Sequence, residues 1–139
     1  MTFMLEIVPP TVTAQQKGER VVGGRVHHYE KRRVTEARTV LTNELRKHAP
    51  AEPMTGPIRL MVDWVFPTKS HRDGEWRITR PDTDNLQKLL KDCMTSAGFW
   101  VDDSQVCVEI ASKRWARGRA GIVITVDRPL AVWKEGVTP

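Results

Sequence analysis

Residues Ile58 to Pro67 restrict the possible folds more than any other stretch of this chain. Ile58, Leu60, Val62, Trp64 and Phe66 occupy every second position, Arg59 and Asp63 fall between them, and Pro67 closes the run. A period of two sends successive side chains to opposite sides of a strand, so one side needs an apolar cover while the other takes polar and charged residues. The chain must contain a sheet with something packed on one face.

Two helical segments can supply that cover. From Lys31 to Lys47 the apolar Val34, Ala37, Leu41 and Leu45 fall on one helical stripe, and the proline- and glycine-containing stretch His48 to Pro57 ends it. A second helix is expected from about Thr83 to Ala97, with Leu86, Leu89, Leu90, Cys93 and Ala97 on the buried side and Gln87, Lys88 and Lys91 nearer solvent. Pro81 sets its entry, Asp82 or Thr83 can cap its first turn, and Gly98 stands just past its end.

The other strand signals are Phe3 to Val8, stopped by Pro9 and Pro10, and a pair at Val106 to Trp115 and Ile122 to Val126. The pair is separated by a turn at Gly118 to Gly121 and reads as a hairpin. Pro9 to His28 reads as a long loop punctuated by Gly18, Gly23 and Gly24, and a polar tail follows from Asp127. The order strand, helix, strand, helix, strand, strand predicts an α+β fold, a small mixed β-sheet with two packed α-helices. A single domain is expected over 1–139, with the first strand in 1–8, the loop in 9–28 and the tail in 127–139.

With 139 residues, 40% of them hydrophobic, the chain can fill one core without a disulfide framework. Cys93 and Cys107 have neither CxxC nor zinc-finger spacing and read as small core residues. His27, His28, His48 and His71 show no spacing that suits metal ligation beside acids. No leader-like segment and no bilayer-length apolar run is visible, which makes a cytoplasmic protein with no membrane partner the expectation. Twenty-two Lys and Arg against 17 Asp and Glu leave the chain at +5, compatible with a polyanionic partner.

The acids are grouped. Arg80-Pro81-Asp82-Thr83-Asp84-Asn85 sets two carboxylates two residues apart at a helix amino end, and Asp102-Asp103 forms a second pair beyond it. Capping and the helix dipole alone can account for an acid at such a position. If the two groups meet, their carboxylates repel one another unless a cation lies between them, and an all-oxygen donor set suits Mg²⁺ or Mn²⁺. Such an ion polarises a phosphoryl oxygen and activates water against a phosphodiester. Lys88, one turn after Asp84, is either a surface ion-pair partner or a group that holds a phosphate, stabilises developing charge or handles the attacking water. Asn85 either completes the cap or serves the site, by donating to a phosphate or orienting Asp103.

The stretch Pro81-Asp82-Thr83-Asp84-Asn85-Leu86-Gln87-Lys88, followed after the helix by Gly98-Phe99-Trp100-Val101-Asp102-Asp103-Ser104-Gln105-Val106, resembles the RusA family of Holliday-junction resolvases of bacteria and their phages. The resemblance is close over roughly residues 80 to 126. It implies catalytic roles for Asp82, Asp84, Asp103, Lys88 and Asn85, with Asp82, Asp84 and Asp103 as metal ligands and Asp102 as a further ligand or a support for the turn. It also implies a homodimer that uses Mg²⁺, or Mn²⁺, to nick two opposed strands of a four-way DNA junction, with no small-molecule cofactor. One or two metal ions are both compatible with the residues.

DNA cannot approach several aspartates unless positive charge surrounds them. Lys69, Arg72, Arg77 and Arg80, with Lys113 and Arg114, are the expected phosphate contacts. Trp76 either stacks on an unpaired base or anchors a core or dimer interface. Three competitors remain at this level: a less selective nuclease for branched DNA, a junction-binding protein without catalysis, and a calcium or structural metal site.

Overall fold

The computed structural model describes residues 1–13 and 24–130, with the backbone alone for 24–30. The elements are β1 (Thr2–Leu5), α1 (Gly24–Arg46), β2 (Ile58–Pro67), α2 (Thr83–Ala97), a 3₁₀ turn at Asp103–Gln105, β3 (Val106–Ala116) and β4 (Gly121–Asp127). They form the expected α+β arrangement, a four-stranded mixed sheet with both helices on one face.

Strand order is β1-β4-β2-β3, with β2 parallel to β3 and antiparallel to β4. The expected hairpin is therefore absent, because β3 and β4 lie on either side of β2. The chain reaches β3 through α2, and a strand that follows a helical crossover pairs parallel with the strand before it. Residues 117–120 then carry the chain over the end of β2. Crossing one strand is a step of about 10 Å, within the roughly 14 Å that four extended residues span.

As its alternation requires, β2 turns Ile58, Leu60, Val62, Trp64 and Phe66 into the core, where they meet Leu41 and Leu45 of α1 and Leu86, Leu89, Leu90, Cys93 and Met94 of α2. On its other face Arg59 donates two hydrogen bonds to Asp127 of β4, at 2.7 and 2.6 Å, and Asp63 accepts from Ser112 and Arg114 of β3. Charged pairs thus lock β2 to both neighbours on the face opposite α1 and α2.

Several local expectations need correction. β1 ends at Leu5, opposite Ile122; β4 starts at Gly121, level with Glu6, and leaves Ile7 and Val8 nothing to pair with. α1 begins at Gly24, so 24–28 is helical; no proline or glycine interrupts 25–46, and each added residue gains a helical hydrogen bond. The rest of the expected loop from 14 to 23, and the tail from 131 to 139, lie outside the described residues.

Cys93 is buried as expected, but Cys107 is exposed. The register slips between Ile58 and Arg59, which pair with Val106 and Val108, so Cys107 bulges out with no partner on β2. The same slip leaves Val106 packed on the core and turns Val108 and Ile110 to the open face.

Gln87 is only 4% exposed, not near solvent. Its Oε1 accepts from Trp64 Nε1 at 2.7 Å and its Nε2 donates to Glu109 Oε2 at 2.8 Å. Lys91 adds a bond to the other oxygen of Glu109. This chain of bonds ties α2 to both β2 and β3.

Two stability predictions follow from close fits. A Cβ on Gly121 would lie 2.6 Å from the Leu5 carbonyl oxygen and would also strike the Met4 side chain, so Gly121→Ala should cost about 1–3 kcal/mol in urea unfolding. Gln87→Ala strands the indole N–H of Trp64, which is fully buried, and should also cost about 1–3 kcal/mol, more than Lys91→Ala.

Candidate active site

The segment that enters α2 is held from β3. Lys113 Nζ donates to the Thr79 carbonyl at 2.8 Å and to the Pro81 carbonyl at 2.7 Å. Burial pushes the Lys113 ammonium below the usual lysine range, Arg77 adds to that, and Asp82 opposes it. Arg77 donates to the Arg80 carbonyl, and its guanidinium lies over Phe66 and Trp115 at 4.2 and 4.4 Å. Two of the expected phosphate contacts, Lys113 and Arg77, are thus engaged in shaping the entry turn.

Pro81 is buried, the Arg80–Pro81 peptide bond is cis, and Asp82 is the N-cap residue of α2. Its carboxylate makes no capping hydrogen bond, so helix capping does not account for the side chain. Asp84 Oδ1 accepts only a local bond, from the Asn85 N–H at 3.0 Å. Asp82, Asp84 and Lys88 are exposed and Asn85 is half-buried. Two carboxylates and an ammonium therefore face solvent around a helix amino end, where backbone N–H groups also favour an anion.

At the far end of α2, Asp102 is occupied. Its Oδ1 accepts from the Ser104 N–H at 2.9 Å and caps the 3₁₀ turn, and that bond holds its carboxyl below the usual range. Gln105 completes the turn: its Oε1 accepts from the Val101 and Asp102 N–H groups, and its Nε2 donates to the carbonyls of Met54 and Gly56. Asp102 thus supports the turn, and Asp103 is left exposed on it. Asp102 and Asp103 border a cleft of about 370 Å³ with Asp92, Thr95, Ser96 and Val101.

The two acidic groups do not meet within one chain. Asp82 and Asp84 stand at the amino end of α2, Asp102 and Asp103 beside its carboxyl end, and a 15-residue helix is about 22 Å long. Among the described residues no group of three or more His, Cys, Asp or Glu is placed to share an ion. The approach of the helix entry to the later turn, expected if the last strands lay beside β2, fails because β3 runs parallel to β2 and begins at the opposite end.

Of the remaining cations, Lys69, Arg72 and Arg80 are exposed, and no ion pair among the described residues engages them. Arg114 binds Asp63 at 3.0 Å and stacks over Trp76 at 4.5 Å. Trp76 is exposed and so is not a core anchor. His71 stacks on Trp115 and bonds to Glu75, and His48 stacks on Phe3.

The functional parts that sequence reasoning missed are the structural duties of Lys113 and Gln105. A lysine in an amphipathic strand and a glutamine in a turn carry no local mark of the distant carbonyls they bind.

The family model for endodeoxyribonuclease RusA matches residues 8–127. A protein named crossover junction endodeoxyribonuclease RusA, from Lactococcus phage r1t, is 35% identical over 107 residues, covering 75% of this chain and 80% of that protein. Proteins of the same name from Escherichia coli K12 and Enterobacteria phage 82 are 38% identical over 50 residues, 36% of this chain and 34% of theirs. No described helix is long and apolar enough to cross a membrane. By the extent of these matches, the chain belongs to the endodeoxyribonuclease RusA family.

Proposed function

We propose that the protein is a metal-dependent endonuclease that resolves four-way DNA junctions in the cytoplasm by paired symmetric nicks, working as a homodimer with Mg²⁺ or Mn²⁺. The observation that carries this reading is the pair of exposed carboxylates at the amino end of α2, Asp82 with no capping hydrogen bond and Asp84 with only a local one, set beside Lys88 in a chain whose relatives bear the name crossover junction endodeoxyribonuclease.

The donor chemistry fits a hard cation in kind, since Asp82 and Asp84 offer oxygen ligands with no histidine or thiolate beside them. In number it is incomplete within one chain. A two-fold pairing that runs α2 of one copy antiparallel to α2 of the other would bring Asp103 of each copy to Asp82 and Asp84 of its mate, giving two equivalent sites. A junction with two-fold symmetry presents two equivalent strands to such a pair. Val101, exposed beside the carboxyl end of α2, supplies apolar surface that a second copy would cover.

When bound, the cation supplies a Lewis acid for a phosphoryl oxygen and a more acidic water. The chain's own groups do the rest. Lys88 offsets charge on the scissile phosphate, the amino end of α2 points N–H groups at it, and Asn85 stands beside Asp84 to hold an oxygen. Lys69, Arg72 and Arg80 contact flanking phosphates and fix the position of the DNA without reading sequence.

The test is strand cleavage of a labelled four-way junction and a matched linear duplex. Symmetric nicks confined to the junction should disappear with EDTA, and Asp84→Asn and Lys88→Ala should each slow cutting by about 100-fold or more. Junction binding with no cutting in either metal would reject the nuclease reading.

A second experiment reads the composite site. Asp84→Asn and Asp103→Asn, each inactive alone, should recover nicking when mixed and re-equilibrated, because the mixed dimer carries one wholly intact site. Two variants that stay inactive together while forming mixed dimers would place all ligands of a site on one chain.

A further inference from the structure

We propose that Trp76 and Ile78 form an apolar wedge that enters the base stack at the branch point of the bound DNA. The proposal rests on the junction-nuclease reading above and adds the element that distinguishes a branch from continuous duplex.

The basic loop that carries these residues is anchored. Gly74 donates to the Trp115 carbonyl at 2.8 Å, Trp115 donates to Glu75 at 2.8 Å, and Arg77 donates to Lys113 at 3.0 Å, so residues 74–77 run antiparallel along the outer edge of β3. The Trp76 ring lies against the Arg114 guanidinium, itself held by Asp63, which Ser112 also binds at 2.7 Å. The indole is thus positioned before any partner arrives, which lowers the ordering cost of using it.

Even so, Trp76 is 59% exposed and Ile78 is 92% exposed. Isolated apolar residues on a surface need no explanation, but these two are two positions apart in a loop that also presents the exposed cations Lys69, Arg72 and Arg80. An apolar protein surface would have to desolvate that charge. DNA satisfies both chemistries, with phosphates for the cations and base faces for the indole and the isoleucine side chain.

Reach and energetics agree with this role. Ile78 stands four positions before Asp82, at most about 14 Å of chain, or about four base steps. Apolar side chains that enter DNA must unstack a base step. At a branch point one stacking partner is already lost, so insertion costs less there than in a continuous helix. A wedge on the loop that leads into the cutting residues, with Trp76 held on the face of β3 away from α2, would therefore favour branches and disfavour duplex.

The experiment uses the Asp84→Asn protein in Mg²⁺, so that binding is read without cutting, and a junction carrying 2-aminopurine at the branch, with the same strand in linear duplex as control. Fluorescence should rise on junction binding and not on duplex. Adding Trp76→Ala and Ile78→Ser should abolish the rise and weaken junction binding about tenfold, while Trp76→Phe keeps it. Duplex binding should change by less than about twofold, since phosphate contacts carry it.

An unchanged rise in the double variant, an equal loss of junction and duplex binding, or dissociation of the variant's dimer in sedimentation would each overturn the wedge while leaving the nuclease reading intact. Failure of the parent protein to bind the junction would instead overturn the nuclease reading, and the wedge with it.

Discussion

The parallel pairing of β2 with β3 governs the site. Parallel strands need a crossover between the end of one and the start of the next, and α2 is that crossover. The helix begins where β2 has ended and finishes where β3 is about to begin, so its two acidic ends lie a helix length apart. A single chain presents Asp82 and Asp84 at one end and Asp103 at the other. The proposed two-fold pairing sets a second chain, reversed, against the first and so joins the two groups without disturbing the sheet.

That geometry is held by polar bonds that span the layers. Gln87 links Trp64 under the sheet to Glu109 on the edge strand, and so sets the rotation of α2 about its axis. Lys88, the next residue, then faces outward beside Asp84. Lys113 holds the carbonyls on both sides of Arg80, and Gln105 holds the turn that carries Asp103 against the loop before β2. Each of these side chains acts through the backbone it fixes, and Asp82, Asp84 and Asp103 stay exposed on that backbone.

Charge is divided in the same way. The chain's excess of cations is partly consumed internally, by Arg59 on Asp127, Arg114 on Asp63 and Arg77 over two aromatic rings. Lys69, Arg72 and Arg80 remain exposed in the segment between β2 and α2, where the proposed function gives them the phosphates of DNA.

The sequence by itself determined what depends on near neighbours. The alternation of β2, the stripe of α2 and the glycine after it were legible because each is a period or a turn confined to a few residues, and the two acidic blocks were legible as spelled. The tertiary structure decided what depends on distant partners. Val106 to Trp115 and Ile122 to Val126 look like a hairpin, yet β2 separates them, because a long central strand gains more by pairing on both edges than two late strands gain from each other. Gln87 looks like a solvent-facing residue until Trp64 and Glu109, more than 20 positions away on either side, are brought to it. For the same reason the chain spells out its carboxylates but not their distance from one another: spacing along a sequence says nothing about which end of a sheet a crossover returns to.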